Sequence, residues 1–163
     1  MLLEFLVFWP MVAAIISFLI GRVNKKLRNY FAIFTAAVEF IVILALLLTG
    51  GVGSEAYVPL ICIQGLHFKL NGFNGLYVLI AVFMWLMTLI FSDEYFTHYR
   101  NRNRYFLFML VTLGATAGVF LSASLYTTFI FFEIMSFTSY VWVAQDERAK
   151  SLKAATLYLA IAV

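Results

Sequence analysis

The sequence predicts an all-α polytopic membrane protein, and three observations support this prediction. Of the 163 residues, 64% are hydrophobic and 12% are charged, whereas soluble domains carry about 25% charged residues. The apolar residues are gathered in runs long enough to cross a hydrocarbon core. The Lys and Arg residues, 11 in all, lie between these runs in short loops. The surface is therefore expected to face a lipid bilayer, and the net charge of +3 does not indicate nucleic acid as a partner.

Five complete transmembrane helices and the start of a sixth are expected, in a single membrane domain that covers residues 1–163. The apolar runs place these helices at about residues 2–20, 30–48, 73–91, 105–121, 125–144 and 154–163. The last run has about ten residues, which is too short to span a bilayer. Because it stops in mid-helix, the sequence is expected to be an N-terminal fragment of a longer protein, or one piece of a split gene.

The loop between helices 2 and 3 differs in character from the other loops. Leu66–Leu70 alternates apolar and polar residues, which is the period of a strand. Leu60–Ile63 is a second run typical of strands, and Gln64 and Gly65 separate the two. A small β-hairpin is therefore predicted in this loop. Its one basic residue, Lys69, is balanced by Glu55.

The basic residues predict the orientation of the chain. The Lys plus Arg counts of the five successive loops are 4, 1, 3, 0 and 3, so they alternate. Cytoplasmic loops carry the excess of basic residues. Loops 1, 3 and 5 are therefore expected in the cytoplasm, with Cys62 and the N-terminus outside, in a bacterial-type inner or plasma membrane. Helix 1 has Glu4 and no basic residue before it, so it is not a cleavable signal peptide.

The link between helices 4 and 5 is very short. Ser122–Ser124 carries no charge and forces the two helices into an antiparallel hairpin. Within helix 4, Gly114 and Gly118 have the spacing of small residues that lets two helices approach closely. Close packing around helix 4 is therefore expected.

Glu133 is the main candidate functional residue. A helix of the nineteen residues 126–144 would span about 28 Å, which places Glu133 near the bilayer midplane, where an ionisable group costs about 3 kcal/mol. Tyr126, Ser136 and Tyr140 share its helical face. No Lys or Arg lies within an apolar run. Glu133 is therefore either held neutral by desolvation or paired with a cation from outside this sequence. The alternative role is a neutral acid that is hydrogen-bonded between packed helices.

Glu39 is a second intramembrane acid, with Thr35 one turn before it. A functional carboxylate, a neutral buried acid and a link to a partner subunit remain open for it. Cys62 is the only cysteine, which excludes an internal disulfide and a cysteine metal cluster. His67 and His98 lie in different loops and lack the helical spacing of metal ligands, so both are interpreted as solvated. No metal and no redox cofactor is expected on this chain.

The stretch F-F-E133-I-M-S-F-T-S-Y resembles the F-W-E-L-M-S-L-x-S-Y stretch of the antiporter-like membrane subunits of respiratory complex I. The same family includes subunits of membrane-bound and formate-linked hydrogenases and of Mrp-type Na+/H+ antiporters. F-K-L-N71-G72-F-N-G-L is similar to the family's F-x-x-D-G-L-S-x-L at the start of helix 3, with Asn71 in place of the usual Asp. V-F-L-S-A-S-L-Y-T-T-F before the Glu133 motif and K-A-A-T-L-Y-L in helix 6 also fit.

The resemblance implies a proton-translocating subunit that works beside other membrane subunits. In the family the glutamate of helix 5 pairs with a lysine on a later, broken helix, and further lysines relay protons. Only the glutamate carries over here, as Glu133, because the lysine helices would lie beyond Val163. The first expectation is part of a redox-driven complex of the complex I or hydrogenase type. The alternatives are an Mrp-type antiporter that moves protons and Na+, and a structural subunit without an ion pathway.

Overall fold

The computed structural model describes residues 2–59, 65–95, 101–145 and 148–162. Its elements are six helices and two strands, in the order α1 (Leu2–Val23), α2 (Lys25–Leu48), β1 (Glu55–Val58), β2 (Leu66–Lys69), α3 (Gly72–Tyr95), α4 (Arg102–Leu121), α5 (Leu125–Val143) and α6 (Ala149–Ala162). Within the described residues, the four helices α1 to α4 are long and apolar enough to cross a membrane. The helical membrane class is confirmed. For α5, whose Thr, Ser and Glu residues interrupt its apolar surface, a fifth span stays a prediction.

Helix α4 is the central element of the bundle. It packs against α1, α3 and α5, and α2 in turn lies against α1 and α3, while α6 lies against α5. Two glycines of α4 let the neighbouring helices approach it closely. A Cβ on Gly114 would lie 2.5 Å from the Val7 carbonyl oxygen of α1, and a Cβ on Gly118 would lie 2.5 Å from the Phe131 ring of α5. The predicted pair of small residues therefore serves two different helices, one on each side of α4.

Several helices begin earlier than their apolar runs. Helix α2 begins at Lys25, five residues before the expected start at Tyr30, because the Asn24 side chain caps it by accepting hydrogen bonds from the backbone N–H groups of Lys26 (3.0 Å) and Leu27 (3.2 Å). Helix α4 likewise begins at Arg102. Residues that were assigned to basic loops, Arg28 among them, are therefore helical.

The predicted hairpin is present, but its first strand is Glu55–Val58. This strand pairs antiparallel with Leu66–Lys69, with Val58 opposite Leu66 and Glu55 opposite Lys69. The Lys69 ammonium donates a hydrogen bond of 2.5 Å to the Glu55 carboxylate, so the two charges that balance in sequence also meet in space. The run Leu60–Ile63 that was expected to form the first strand, together with Gln64 and Cys62, lies outside the described residues.

The hairpin closes one end of the bundle. The backbone N–H of Ala123, in the α4–α5 turn, donates to the His67 carbonyl (2.8 Å), and the His67 N–H donates to the Thr127 hydroxyl (3.0 Å). Phe68 forms a further bridge with Ser122. At the opposite end, Gly21 of α1 lies against Asn103 of α4. The hairpin and the α4–α5 turn thus share one end, and the basic α1–α2 turn and the start of α4 share the other.

Candidate functional site

Glu133 lies near the middle of α5 and is half-buried. The helix begins where Ser124 caps it by accepting a hydrogen bond from the Thr127 N–H (3.2 Å), and this start fixes the position of Glu133 within α5. No hydrogen bond or ion pair joins the Glu133 carboxylate to another described residue. Because hydrogen bonds normally accompany the burial of a polar group, a half-buried acid without one inside an apolar helix marks a candidate functional group.

The three hydroxyl residues predicted to accompany Glu133 lie on its face of α5. Ser136 is buried, and Tyr126 and Tyr140 are half-buried. None of these hydroxyls is hydrogen-bonded to Glu133 or to one another in the described part of the chain. The four residues therefore form a polar stripe along α5, and the structure does not join them into a connected network.

Two other hydroxyl groups of α5, turned away from Glu133, do have partners. Thr138 forms a buried hydrogen bond of 2.8 Å with Thr112 of α4. Ser139 forms one of 2.8 Å with the Tyr158 hydroxyl of α6. These contacts tie α5 to both neighbours and were missed in the sequence, where Thr112 and Thr138 are single polar residues in apolar runs. Within α5, Glu133 therefore differs from Thr138 and Ser139, because its carboxylate has no hydrogen-bond partner among the described residues.

A cavity of about 590 Å³ opens beside the polar stripe, between α4, α5 and α6. It is lined by Arg104, Phe108, Tyr140, Val141, Ala144 and Leu152. Tyr140 and Ala144 lie on the Glu133 face of α5, two and three helical turns beyond the carboxylate. The cavity therefore reaches to about 10 Å from Glu133 along the helix axis, from the end of the bundle where the basic residues lie.

Glu39 is more deeply buried than Glu133. Its exposed fraction is 0%. Neither of its carboxyl oxygens has a hydrogen-bond partner in the described structure. It lies on the core face of α2 with Thr35, whose hydroxyl donates to the Phe31 carbonyl at 2.9 Å. The described residues of this chain enclose Glu39 completely, and the role of Glu39 stays a prediction.

A buried polar cluster at the basic end of the bundle was not predicted. Arg28, with an exposed fraction of 1%, donates two hydrogen bonds to the Asn29 side-chain oxygen, at 3.0 and 2.6 Å. The Asn29 amide in turn donates to Asp93 of α3. Asp93 also pairs with Arg102 of α4 at 3.3 Å. The guanidinium of Arg28 lies 4.6 Å from the ring centre of Phe106.

This cluster ties the ends of four helices together. Asn103 of α4 accepts a hydrogen bond from Arg28 at 3.4 Å and donates one to the Phe18 carbonyl of α1 at 2.9 Å. A side chain on Gly21 would collide with Asn103, so the glycine makes room for the cluster. The sequence shows these residues only as two hydrophilic stretches far apart in the chain. Their polar character was visible, but their pairing was not.

The histidines contribute no metal site to the described residues, in which no group of three His, Cys, Asp or Glu side chains could hold a metal ion. His67 is exposed on β2, where its ring packs against the ring of Tyr57 at 4.5 Å between centres. His98 lies outside the described residues. The interpretation of His67 as a solvated residue fits its exposed position on the hairpin.

Comparison with known proteins identifies curated proteins of similar sequence and a solved structure of similar fold. No protein-family model matches the chain. Two curated relatives are both Na+/H+ antiporter subunit A1: the protein of Staphylococcus haemolyticus is 27% identical over 88% of this chain, and that of Staphylococcus aureus is 26% identical over 99%. The chain spans about a fifth of the length of these relatives, 18% and 21%.

The fold occurs in a solved structure. A chain of the membrane-bound sulfane sulfur reductase, an archaeal respiratory membrane complex, matches 97% of this chain with a TM-score of 0.85, at 17% identity and over 33% of its own length. At this identity the match shows the shared fold. Together with the curated relatives, it confirms the resemblance of this chain to the antiporter-like subunits of membrane complexes.

Proposed function

We propose that this chain is part of an ion-translocating, antiporter-like subunit of a multisubunit membrane complex, and that Glu133 is its charge-coupling carboxylate. The observation that supports this most is the contrast within α5. The buried polar side chains Thr138 and Ser139 have hydrogen-bond partners, whereas Glu133 has none among the described residues. A carboxylate without a fixed partner can gain and lose a proton as its electrostatic surroundings change.

The proposed mechanism is electrostatic. When a cationic group approaches Glu133, the ionised carboxylate is stabilised and the proton leaves. When the cationic group withdraws, this stabilisation is lost and a proton returns. No covalent step is involved, and the energy comes from the movement of the coupled charge.

Protons would reach Glu133 from the basic end of the bundle. The cavity beside Tyr140 supplies the wide part of this route, and the Tyr140 and Ser136 hydroxyls lie between the cavity and the carboxylate on the same face of α5. Water molecules or hydroxyl rotations would complete the path, since no hydrogen bond in the described structure already does so. In this proposal the basic end faces the cytoplasm, as the alternating loop charges indicate.

The curated relatives favour an Mrp-type context, in which an ion gradient drives the exchange of protons and Na+, because both are named as Na+/H+ antiporter subunits. The second candidate is a redox-driven complex of the complex I or hydrogenase type, which the fold shared with a respiratory complex favours. Both contexts use the same carboxylate, and both need other membrane subunits as partners. The two contexts differ in the energy source that moves the cationic group near Glu133, which is an ion gradient in the first and electron transfer in the second.

The test is ion transport into vesicles that contain the assembled complex. Glu133→Gln is expected to abolish proton translocation while assembly stays intact, because Gln keeps the size of the side chain and cannot ionise. Glu133→Asp should retain part of the activity. Glu94→Gln, which removes an exposed acid at the end of α3, is the matched control and should transport normally. Normal transport by Glu133→Gln would leave only the packed-acid role. Driving the same vesicles with a Na+ gradient or with the electron donor of the complex separates the two contexts.

The orientation is tested by cysteine labelling. In a Cys62→Ser background, a cysteine at Asn24, in the α1–α2 turn, should react with an impermeant thiol reagent only from the cytoplasmic side. A cysteine at Ala123, in the exposed α4–α5 turn, should react only from outside. The reverse pattern would place the cavity beside Tyr140 on the outer side and invert the proposed route.

A further inference from the structure

Glu39 occupies an unusual position for an acid. It lies about 13 Å from the nearer end of α2, and no part of its surface is exposed. Neither carboxyl oxygen accepts or donates a hydrogen bond within the described residues. The buried residues that share its face of α2 in the neighbouring turns are Ala32, Thr35, Ala36 and Ile43. The immediate helical surroundings of the carboxyl group are therefore almost entirely apolar.

No opposite charge is placed to stabilise an ionised Glu39. The helices packed against α2 are α1, α3 and α4. Within their described residues the charged side chains lie at the helix ends, namely Glu4, Arg22, Asp93, Glu94, Arg102 and Arg104. On α2 itself the nearest charge is Arg28, eleven residues away, or about 16 Å along the axis. Arg28 is already engaged with Asn29 and Phe106.

A metal cation is a poor fit to this position. A hard cation in a protein is held by several oxygen ligands at once. The buried face of α2 offers one other side-chain oxygen near Glu39, the Thr35 hydroxyl, and its proton is directed to the Phe31 carbonyl. The described residues contain no group of three acidic, His or Cys side chains that could complete a site. A proton is the one cation that a single carboxyl group can bind alone.

We propose that Glu39 is a second proton-binding site of this chain, occupied as a neutral carboxylic acid in the core formed by α1 to α4. An isolated carboxylate that is buried without a partner is strongly unfavourable, and neutralisation by a proton removes most of this penalty. The site differs from that at Glu133, which is half-buried and lies about 10 Å along α5 from the cavity beside Tyr140. The proton on Glu39 is expected to stay in place in the resting chain, because the described residues enclose it.

This inference is independent of the proposed function, because it concerns the protonation of one residue in the resting chain. It also explains why Glu39→Gln is expected to transport ions nearly as well as the unchanged protein. The side-chain amide of Gln has the shape and neutrality of a protonated glutamic acid. A failure of the Glu133 test would leave this inference untouched, and the reverse also holds.

The test is infrared spectroscopy of the purified chain in phosphatidylcholine vesicles at pH 7. The difference between the unchanged protein and Glu39→Gln should show the loss of the carbonyl band of a protonated carboxylic acid, with no loss of carboxylate bands. Glu94→Gln is the matched control, and it should remove carboxylate intensity only, because Glu94 is exposed. Glu133→Gln should leave the Glu39 band in place.

Loss of a carboxylate band in Glu39→Gln would show that Glu39 is ionised and would overturn the inference. If the Glu39→Gln variant gives too little folded protein, carbon NMR of the Glu133→Gln protein with 13C-labelled glutamate replaces it, so that the signal cannot come from Glu133. A side-chain carboxyl signal at the position of a neutral acid that persists at pH 7 and disappears on chemical unfolding supports the proposal. Carboxyl signals that are all at the ionised position contradict it.

Discussion

The ring of Phe68, on the hairpin, lies 5.7 Å from the ring of Phe131, which is two residues before Glu133 on α5. Phe8 of α1 completes the group, with its ring 6.3 Å from each of the other two. Only 1% of Phe68 is exposed. A strand outside the helices thus inserts a side chain into the bundle at the level where α1 and α5 come together.

Removal of this ring should destabilise the protein strongly. Phe68→Ala is expected to lower the free energy of unfolding by about 3–5 kcal/mol, because it leaves a cavity among three helices and the hairpin. Denaturant titration of the purified protein in detergent micelles measures the loss. Phe73→Ala is the control, since Phe73 is 72% exposed, and it should change the stability by about 0.5 kcal/mol or less. Equal losses for the two variants would show that Phe68 does not anchor the hairpin.

Gly114 should tolerate no side chain, because α1 lies directly against it. In Gly114→Ala the new methyl group would lie 2.5 Å from the Val7 carbonyl oxygen, so the backbones of α1 and α4 must separate. The expected loss is at least about 1 kcal/mol, after the better helix propensity of Ala is allowed for. Gly72→Ala, at the start of α3, meets nothing within 4 Å and should be neutral. The unfolding temperatures of the two variants, measured under the same conditions, test this prediction. Equal temperatures would contradict it.

Asn29 should matter because it joins two charged residues. In Asn29→Ala, Arg28 loses the acceptor of its two hydrogen bonds and Asp93 loses a donor. Hydrogen bonds to charged groups contribute about 1.5–3 kcal/mol each, so a loss of about 2–3 kcal/mol is expected. Asn71→Ala is matched in chemistry but changes an exposed residue, and it should have little effect. If both variants unfold at the same denaturant concentration, the cluster contributes nothing to stability.

The hairpin should weaken in acid. A hydrogen bond from Lys69, together with its charge, lowers the pKa of Glu55 below the ordinary value of 4.5. A carboxyl group whose pKa is lower in the folded state contributes stability above its unfolded pKa, and this contribution is lost as the pH falls through the folded pKa. The loss should therefore occur below pH 4.5. NMR titration of Glu55 should show the lowered pKa, and Lys69→Met should return the pKa towards its ordinary value.

The helices themselves were predictable because their apolar runs are as long as a membrane is thick. Their starts were not, since Lys25 to Asn29 and Arg102 to Arg104 are mostly polar residues that continue a helix beyond its apolar run. Capping by Asn24 is a local signal that could have placed the start of α2. The alternation of apolar and polar residues predicted the second strand of the hairpin. It did not predict the first strand, because the residues that pair with the second strand are determined by hydrogen bonding across the loop.

The candidate site was also predictable in part, because an apolar run fixes where each of its residues lies along a helix. The position of Glu133 in the middle of a helix, and the helical face that it shares with Ser136 and Tyr140, follow from its place in an apolar run. The lack of hydrogen bonds to that carboxylate and the complete enclosure of Glu39 depend on how the helices pack. The contact between Arg28 and Asn103 joins residues 75 positions apart, and no local pattern indicates it.

The two ends of the bundle are held by different kinds of force. One end is joined by the charged and amide groups around Arg28 and Asp93, and the other by the aromatic rings around Phe68. Dissolved salt weakens partly exposed charge pairs, whereas salts such as sulfate strengthen the association of apolar groups. An increase in sulfate concentration should therefore loosen the helix ends joined by the partly exposed pair Asp93–Arg102 and tighten the helices beneath the hairpin. Hydrogen exchange at the two ends should shift in opposite directions under the same change of solvent.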